Sequence, residues 1–97
     1  MKHPLINPTL KYHTAEDKTF IEEIEGHLTI REMVGYCKGN MHKYEYKRKH
    51  FKVTDRDEFM RGAYYDYMMF LLNIDYEYHD VTVNKAYEIV GIEMEYR

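Results

Sequence analysis

The chain has 97 residues, with 14 Lys and Arg against 17 Asp and Glu, a net charge of −3. That length allows one domain with a modest core, and the charge balance argues against a dedicated duplex-DNA binder, which needs a strongly basic face. The single Cys37 excludes an internal disulfide and every multi-cysteine zinc pattern. No apolar run approaches the ~18 residues of a membrane span, and the opening residues lack the apolar stretch of a signal peptide. A cytoplasmic protein with no membrane contact is expected.

Residues 1–13 contain both prolines, Pro4 and Pro8, which preclude a regular helix. They read as an extended arm that lays Leu5, Ile6, Leu10 and Tyr12 against a helical bundle spanning 14–97. Thr14 is placed to cap a first short helix carrying Phe20, Ile21 and Ile24, with Gly26 ending it. Glu22, Glu23 and Glu25 are expected on its solvated face.

The central stretch runs from Thr29 to about His50. Thr29 and Glu32 have capping-box spacing. Behind them Ile30, Met33, Val34, Cys37, Met41 and Tyr44 recur at helical steps, drawing one apolar stripe. Gly35 and Gly39 lie one above the other on such a helix and leave bare backbone, at a cost of roughly 1 kcal/mol each relative to Ala. Something must come close to justify them. Packing of another helix is the plainer reading, and a ligand meeting Lys43 and Lys47 is the sharper one.

Thr54 then caps a third helix, expected to be the longest, with Asp55, Asp57 and Glu58 in its first turn. Phe59, Ala63, Tyr67, Phe70, Leu71, Ile74 and Tyr78 form one stripe on it. Met60, Tyr64, Met68 and Leu72 form a second, broad enough to predict a homo-oligomer. Asp80 or Thr82 starts a last helix with Val83, Ala86, Tyr87 and Val90, followed by a frayed or extended tail. The alternation in 76–83 leaves room for a short strand. The fold class that follows is all-α: one domain, 1–97, made of a small bundle of about four helices and the N-terminal arm.

Charge is unevenly spread. From Lys38 to Arg61 eight cations face four anions, so this segment is +4 while the rest carries −7. A local basic patch on an acidic protein attracts a compact anion, a nucleotide or an acidic partner surface.

At GYCKGNMHKYEYKRKH the sequence resembles the SaV-like family of small bacteriophage proteins, whose core reads approximately G-F-L-K-G-N-x-x-K-Y-x-x-R. Gly35, Tyr36, Cys37, Lys38, Gly39, Asn40, Lys43 and Tyr44 match that core. Glu58, Phe59, Arg61, Gly62 and Tyr65 fall at positions of a looser second motif, and His3-Pro4 with Tyr12-His13 resembles the family's opening. Lys47 stands where the family usually has Arg, which keeps the charge and loses the bidentate fork. Gly62 replaces a helix-favouring Ala.

The resemblance implies a phage early protein in the bacterial host cytoplasm, with a link to host abortive infection. In a distant branch it implies a deoxynucleoside monophosphate kinase without a Walker loop. It also singles out His13.

Two functions are therefore expected from different classes. One is an adaptor or inhibitor that binds a host or phage protein. The other is a nucleotide-binding protein, up to a non-Walker kinase acting with Mg²⁺ on the nucleotide. In the second, Gly35 and Gly39 admit the ligand, Asn40 donates an amide, and Lys43, Lys47 and Arg48 neutralise phosphates. Tyr44 or Tyr12 would stack on the base, and the competing structural reading is a basic helix face covering apolar surface with its alkyl stems. No G-x-x-x-x-G-K-[ST] occurs, which excludes a P-loop. The carboxylate pairs Glu22/Glu25 and Asp55/Glu58 have i, i+3 spacing suited to Mg²⁺, yet helix starts and solvent faces explain them equally. No two histidines have helical zinc spacing, so no resident metal is expected.

Overall fold

Thr29 opens the longest helix of the protein with a reciprocal cap. Its hydroxyl accepts from Glu32 N–H at 3.1 Å, and the Glu32 carboxylate accepts from Thr29 N–H at 3.0 Å. The structure, a computed structural model, describes residues 1–6 and 15–96, the side chains of 15–19 excepted. Four α-helices follow in order: α1 (Ala15–Ile24), α2 (Ile30–His50), α3 (Asp55–Leu72) and α4 (Val83–Val90). Among the described residues there is no named strand, so the protein is the expected small all-α bundle. The expected caps at Thr14 and contacts of Leu10, Tyr12 and His13 lie outside the described residues.

α2 buries Ile30, Met33, Val34, Cys37 and Tyr44, five of the six residues of its predicted stripe, and Met41 packs at its edge. Four residues connect it to α3, too few for anything but an antiparallel return. Thr54 caps α3 as Thr29 caps α2, exchanging bonds with Asp57 of 3.1 and 3.2 Å. Aromatic contacts bind the pair of helices. Tyr64 of α3 stacks on Tyr44 at 6.3 Å between centroids and meets Tyr36 edge-on at 6.0 Å.

α3 corrects two expectations. At 18 residues it is shorter than α2 at 21. Its two stripes also merge: Met60, Tyr64 and Met68 are buried beside Ala63, Tyr67 and Leu71 in the same core. Most of that breadth is covered within the chain, by α2 and by residues of the N-terminal arm, the end of α1 and α4. Leu72 of the second stripe stays exposed and joins Tyr65 and Met69, at i, i+4 and i+7, in the face left uncovered.

Thr82 starts α4, its hydroxyl accepting from Lys85 N–H at 3.2 Å. Gly91 ends the helix at φ +78°, the left-handed geometry that glycine tolerates best. The starts of α2 and α4 are tied together: Ile30 N–H donates to Val81 O at 3.2 Å and Val83 N–H to Leu28 O at 2.9 Å. This antiparallel bridge between Thr29 and Thr82 is all the strand character the 76–83 segment shows. A 3₁₀ turn, Tyr76–Tyr78, precedes it.

The closing residues are extended, as one of the two expectations had them. They run parallel to the opening ones: His3 N–H donates to Glu95 O at 3.1 Å and Glu95 N–H to Met1 O at 2.7 Å.

The main correction concerns Glu25. Expected on the solvated face of α1, it is 0 % exposed. It follows the last residue of α1, its N–H still bonded to Ile21 O at 3.0 Å, and so stands one turn above the buried Ile21 and points inward. Its carboxylate accepts from His3 Nε2 at 3.0 Å, from Tyr87 Oη at 2.7 Å, and from the hydroxyls of Tyr67 and Tyr96. Four donors from four parts of the chain replace the water that this charge gives up.

Candidate functional site

α2 ends in Lys47, Arg48, Lys49 and His50, and the Lys and Arg charges suit the negative end of a helix dipole. Phe51 leaves the helix with extended backbone, and the chain turns back into α3. Between the last two turns of α2 and the start of α3 lies a groove of about 370 Å³ lined by Lys43, Tyr46, Lys47, Phe51, Lys52 and Asp57. Three ammonium groups face one carboxylate there. The volume is within the roughly 300–1,000 Å³ of small-molecule sites.

Each lining residue is placed for a local reason. Lys43 and Lys47 are four apart, so their side chains stand on one side of α2. Their ammonium groups lie 4.8 and 5.6 Å from the centre of the Tyr44 ring, a cation–π arrangement on a buried aromatic. Asp57 is fixed by its capping role, and Lys47 Nζ reaches its Oδ1 at 3.4 Å. Hydrogen bonds from Thr54 and the nearby Lys47 hold the Asp57 carboxyl below its ordinary value, so it is ionised at neutral pH. Tyr46 and Phe51 are both exposed, at 57 % and 65 %, with ring centroids 6.2 Å apart. Exposed aromatic rings beside ammonium groups offer a planar anion both a stacking surface and charge.

Of the residues singled out in the sequence, Lys43 and Lys47 meet in this groove, with Tyr44 beneath them as a buried support. Asn40 does not join them. Its amide donates to Tyr36 O at 2.9 Å and so stays on its own helix. Arg48 is turned to α3, where its Nη2 meets both Glu58 oxygens at 2.7 Å. His13 lies outside the described residues.

Gly35 and Gly39 are exposed, and a Cβ built on either would meet nothing within 4 Å. Hence no helix of the described chain packs on them, and the expected helix contact is absent. The glycine strip also faces away from α3, since the core stripe of α2 lies on the opposite side.

Four lining residues, Tyr46, Phe51, Lys52 and Asp57, were not singled out as site residues. Tyr46 carried a usable signal, an aromatic off the apolar stripe in the basic last turns of a helix. Phe51 and Lys52 join it only because the chain turns sharply, which no periodicity records.

The candidate Mg²⁺ pairs do not assemble. Glu25 faces the core while Glu22 faces solvent, and Glu58 is engaged by Arg48 and Arg61. Among the described residues no group of three or more His, Cys, Asp and Glu could hold a metal ion. The donors therefore do not fit a protein-held Mg²⁺. A second cleft of about 460 Å³ lies between the end of α4 and the tail. Its charged lining is Glu88 and Glu93, the wrong sign for a phosphate.

The chain matches no family model, no curated protein and no solved structure. Among the described residues no helix is long and apolar enough to cross a membrane.

Proposed function

We propose that the protein binds a nucleotide-like ligand, a planar ring bearing phosphate, in the groove at the α2–α3 turn. The supporting observation is the pairing of three lysines with two exposed aromatic rings around about 370 Å³. Lys43, Lys47 and Lys52 supply charge for the phosphate, while Tyr46 and Phe51 supply a stacking surface worth about 1–3 kcal/mol per base. The motif resemblance to SaV-like phage proteins, whose distant branch acts on deoxynucleotides, points the same way, with an infected bacterial cytoplasm as the proposed setting. The ligand class is then a deoxynucleoside monophosphate. We assign binding; any Mg²⁺ would arrive on the ligand's own phosphates.

Titration of the protein with a deoxynucleoside monophosphate, followed by amide chemical shifts, tests this. Shifts are expected across 43–52 and at Asp57. If they stay put at saturating nucleotide, or if inorganic phosphate alone reproduces them in full, the ring-plus-phosphate reading is wrong.

A second reading, association with a host or phage protein or with another copy, is favoured by one observation. Tyr65, Met69 and Leu72 form an exposed apolar row on α3. Light scattering over a range of concentrations tests the copy-to-copy form: a mass that stays monomeric, unchanged by Leu72→Glu, removes it.

A further inference from the structure

The buried Glu25 cluster takes no part in the groove, and its wiring is unusual. Among the described residues, Glu25 Oε2 accepts from His3, Tyr67 and Tyr87, whereas Oε1 accepts from Tyr96 alone. Tyr67 is wholly buried and Tyr87 nearly so. Tyr96 is only partly buried, and the segment that carries it lies at the surface, with Glu93 and Glu95 exposed. Ile92, Met94 and Tyr96 are each packed at the edge of the core, and none is fully buried. Two backbone bonds tie it to residues 1–3 and one, Ile92 N–H to Tyr87 O at 2.8 Å, to α4. The Met1 ammonium donates to Glu93 O at 2.9 Å and lies 3.8 Å from the Glu95 carboxylate, and the Tyr96 ring lies 5.4 Å from that of His3. The 460 Å³ cleft runs along the same segment, with Tyr87 and Tyr96 in its lining.

His3 is fixed from the other side. Its Nδ1 accepts from Leu5 N–H at 3.0 Å and Ile6 N–H at 3.2 Å, so its proton sits on Nε2 and points at Glu25. Leu5 and Ile6 are fully buried, in a small cavity shared with Ile21, Tyr36, Met60 and Tyr64. Burial of two such side chains is worth about 1.5–3 kcal/mol each, which anchors this end independently of Glu25. One carboxylate thus joins a segment anchored by buried side chains, 1–6, to one that has none fully buried, 92–96.

We propose that residues 92–96 are a strap fastened over the buried His3–Glu25 pair by the Tyr96 hydroxyl, and that acidification unfastens it while the helices stay packed. An ionised carboxylate accepts from all four donors. A protonated one gives up part of that capacity, and its hydrogen must occupy one of the four directions. Tyr96 is the donor with the least burial to keep it in place.

The groups that face Glu25 are His3 from the opening segment, Tyr67 from α3, Tyr87 from α4, Tyr96 from the strap and Cys37 from α2. Glu22 of α1 lies near Tyr96. Burial raises all three phenols above their ordinary value and pushes the Cys37 thiol up to about 12, so none of these four ionises in acid. Opening the strap would connect the cleft beside α4 to His3 and Glu25.

Amide hydrogen exchange of the whole chain, read residue by residue by NMR, tests the device. The Glu95 and His3 amides are expected to lose protection on acidification below about pH 4, before the amides of α2 and α3 do. Tyr96→Phe should speed exchange at Glu95 by about tenfold or more at neutral pH, since a hydrogen bond to a charged group contributes about 1.5–3 kcal/mol. Glu25→Gln should do the same, with α2 and α3 still protected. Three results would overturn the proposal: wild-type-like Glu95 protection in Tyr96→Phe, the same in Glu25→Gln, or loss of the α2 and Glu95 amides in step.

Discussion

Lys47 Nζ lies 3.4 Å from Asp57 Oδ1, which joins the last basic turn of α2 to the residue that caps α3. The lysine is still 42 % exposed and the contact is long, so it keeps donors for a ligand. Asp57 cannot follow it, because its carboxylate is bound to Thr54 N–H. An anion entering the groove therefore competes for Lys47 while the α3 cap stays made.

Lys43→Ala and Lys47→Ala should each weaken deoxynucleotide binding by about tenfold or more, the loss of one charge-assisted contact. Neither should change the folded state by more than about 0.5 kcal/mol. Calorimetric titration with urea denaturation in parallel checks both halves. Unchanged affinity in the pair of variants would remove the groove from consideration.

Gly35→Ala and Gly39→Ala should each stabilise the protein by up to about 1 kcal/mol, because each site is exposed helix with open space for a Cβ. For a chain of this size that amounts to a rise in Tm of about 4–8 °C. Thermal melting is the measurement.

Gly91→Ala should act in the opposite direction. Its φ of +78° costs any other L-residue about 1–2 kcal/mol, although there is open space around it. The urea midpoint should fall, and the helical circular dichroism of the folded baseline should barely change.

Stability should depend on acid through Glu25. Burial by itself would raise this carboxyl, yet hydrogen bonds from His3, Tyr67 and Tyr96 outweigh it and hold the group below its ordinary value. A depressed carboxyl contributes stability that is complete above the unfolded value, about 4.3. That contribution disappears as pH falls through the lower folded value. The Glu25 contribution to urea midpoints should thus be insensitive to pH near neutrality and decline below about pH 4. Glu25→Ala, which leaves three phenols and His3 without their acceptor, should cost about 3–5 kcal/mol at neutral pH and flatten that acid dependence.

Helix positions were legible because they rest on near neighbours. Thr29 with Glu32 and Thr54 with Asp57 cap through residues three apart, and the α2 stripe follows from a fixed angle per residue. Lys43 and Lys47 could be paired on the same grounds. Tyr46, Phe51 and Asp57 could not be assembled with them, since their meeting depends on how four residues fold the chain back. Glu25 was misjudged for a related reason: local polarity put it in water, while its partners lie 22, 42, 62 and 71 positions away.

The sequence alone determined an all-helical domain, its caps and the basic segment, because propensity and periodicity act over one or two turns. Only the tertiary structure decided which faces are left open and where charge is buried. Those outcomes belong to contacts between distant segments, and in them desolvation and donor geometry outweigh local preference.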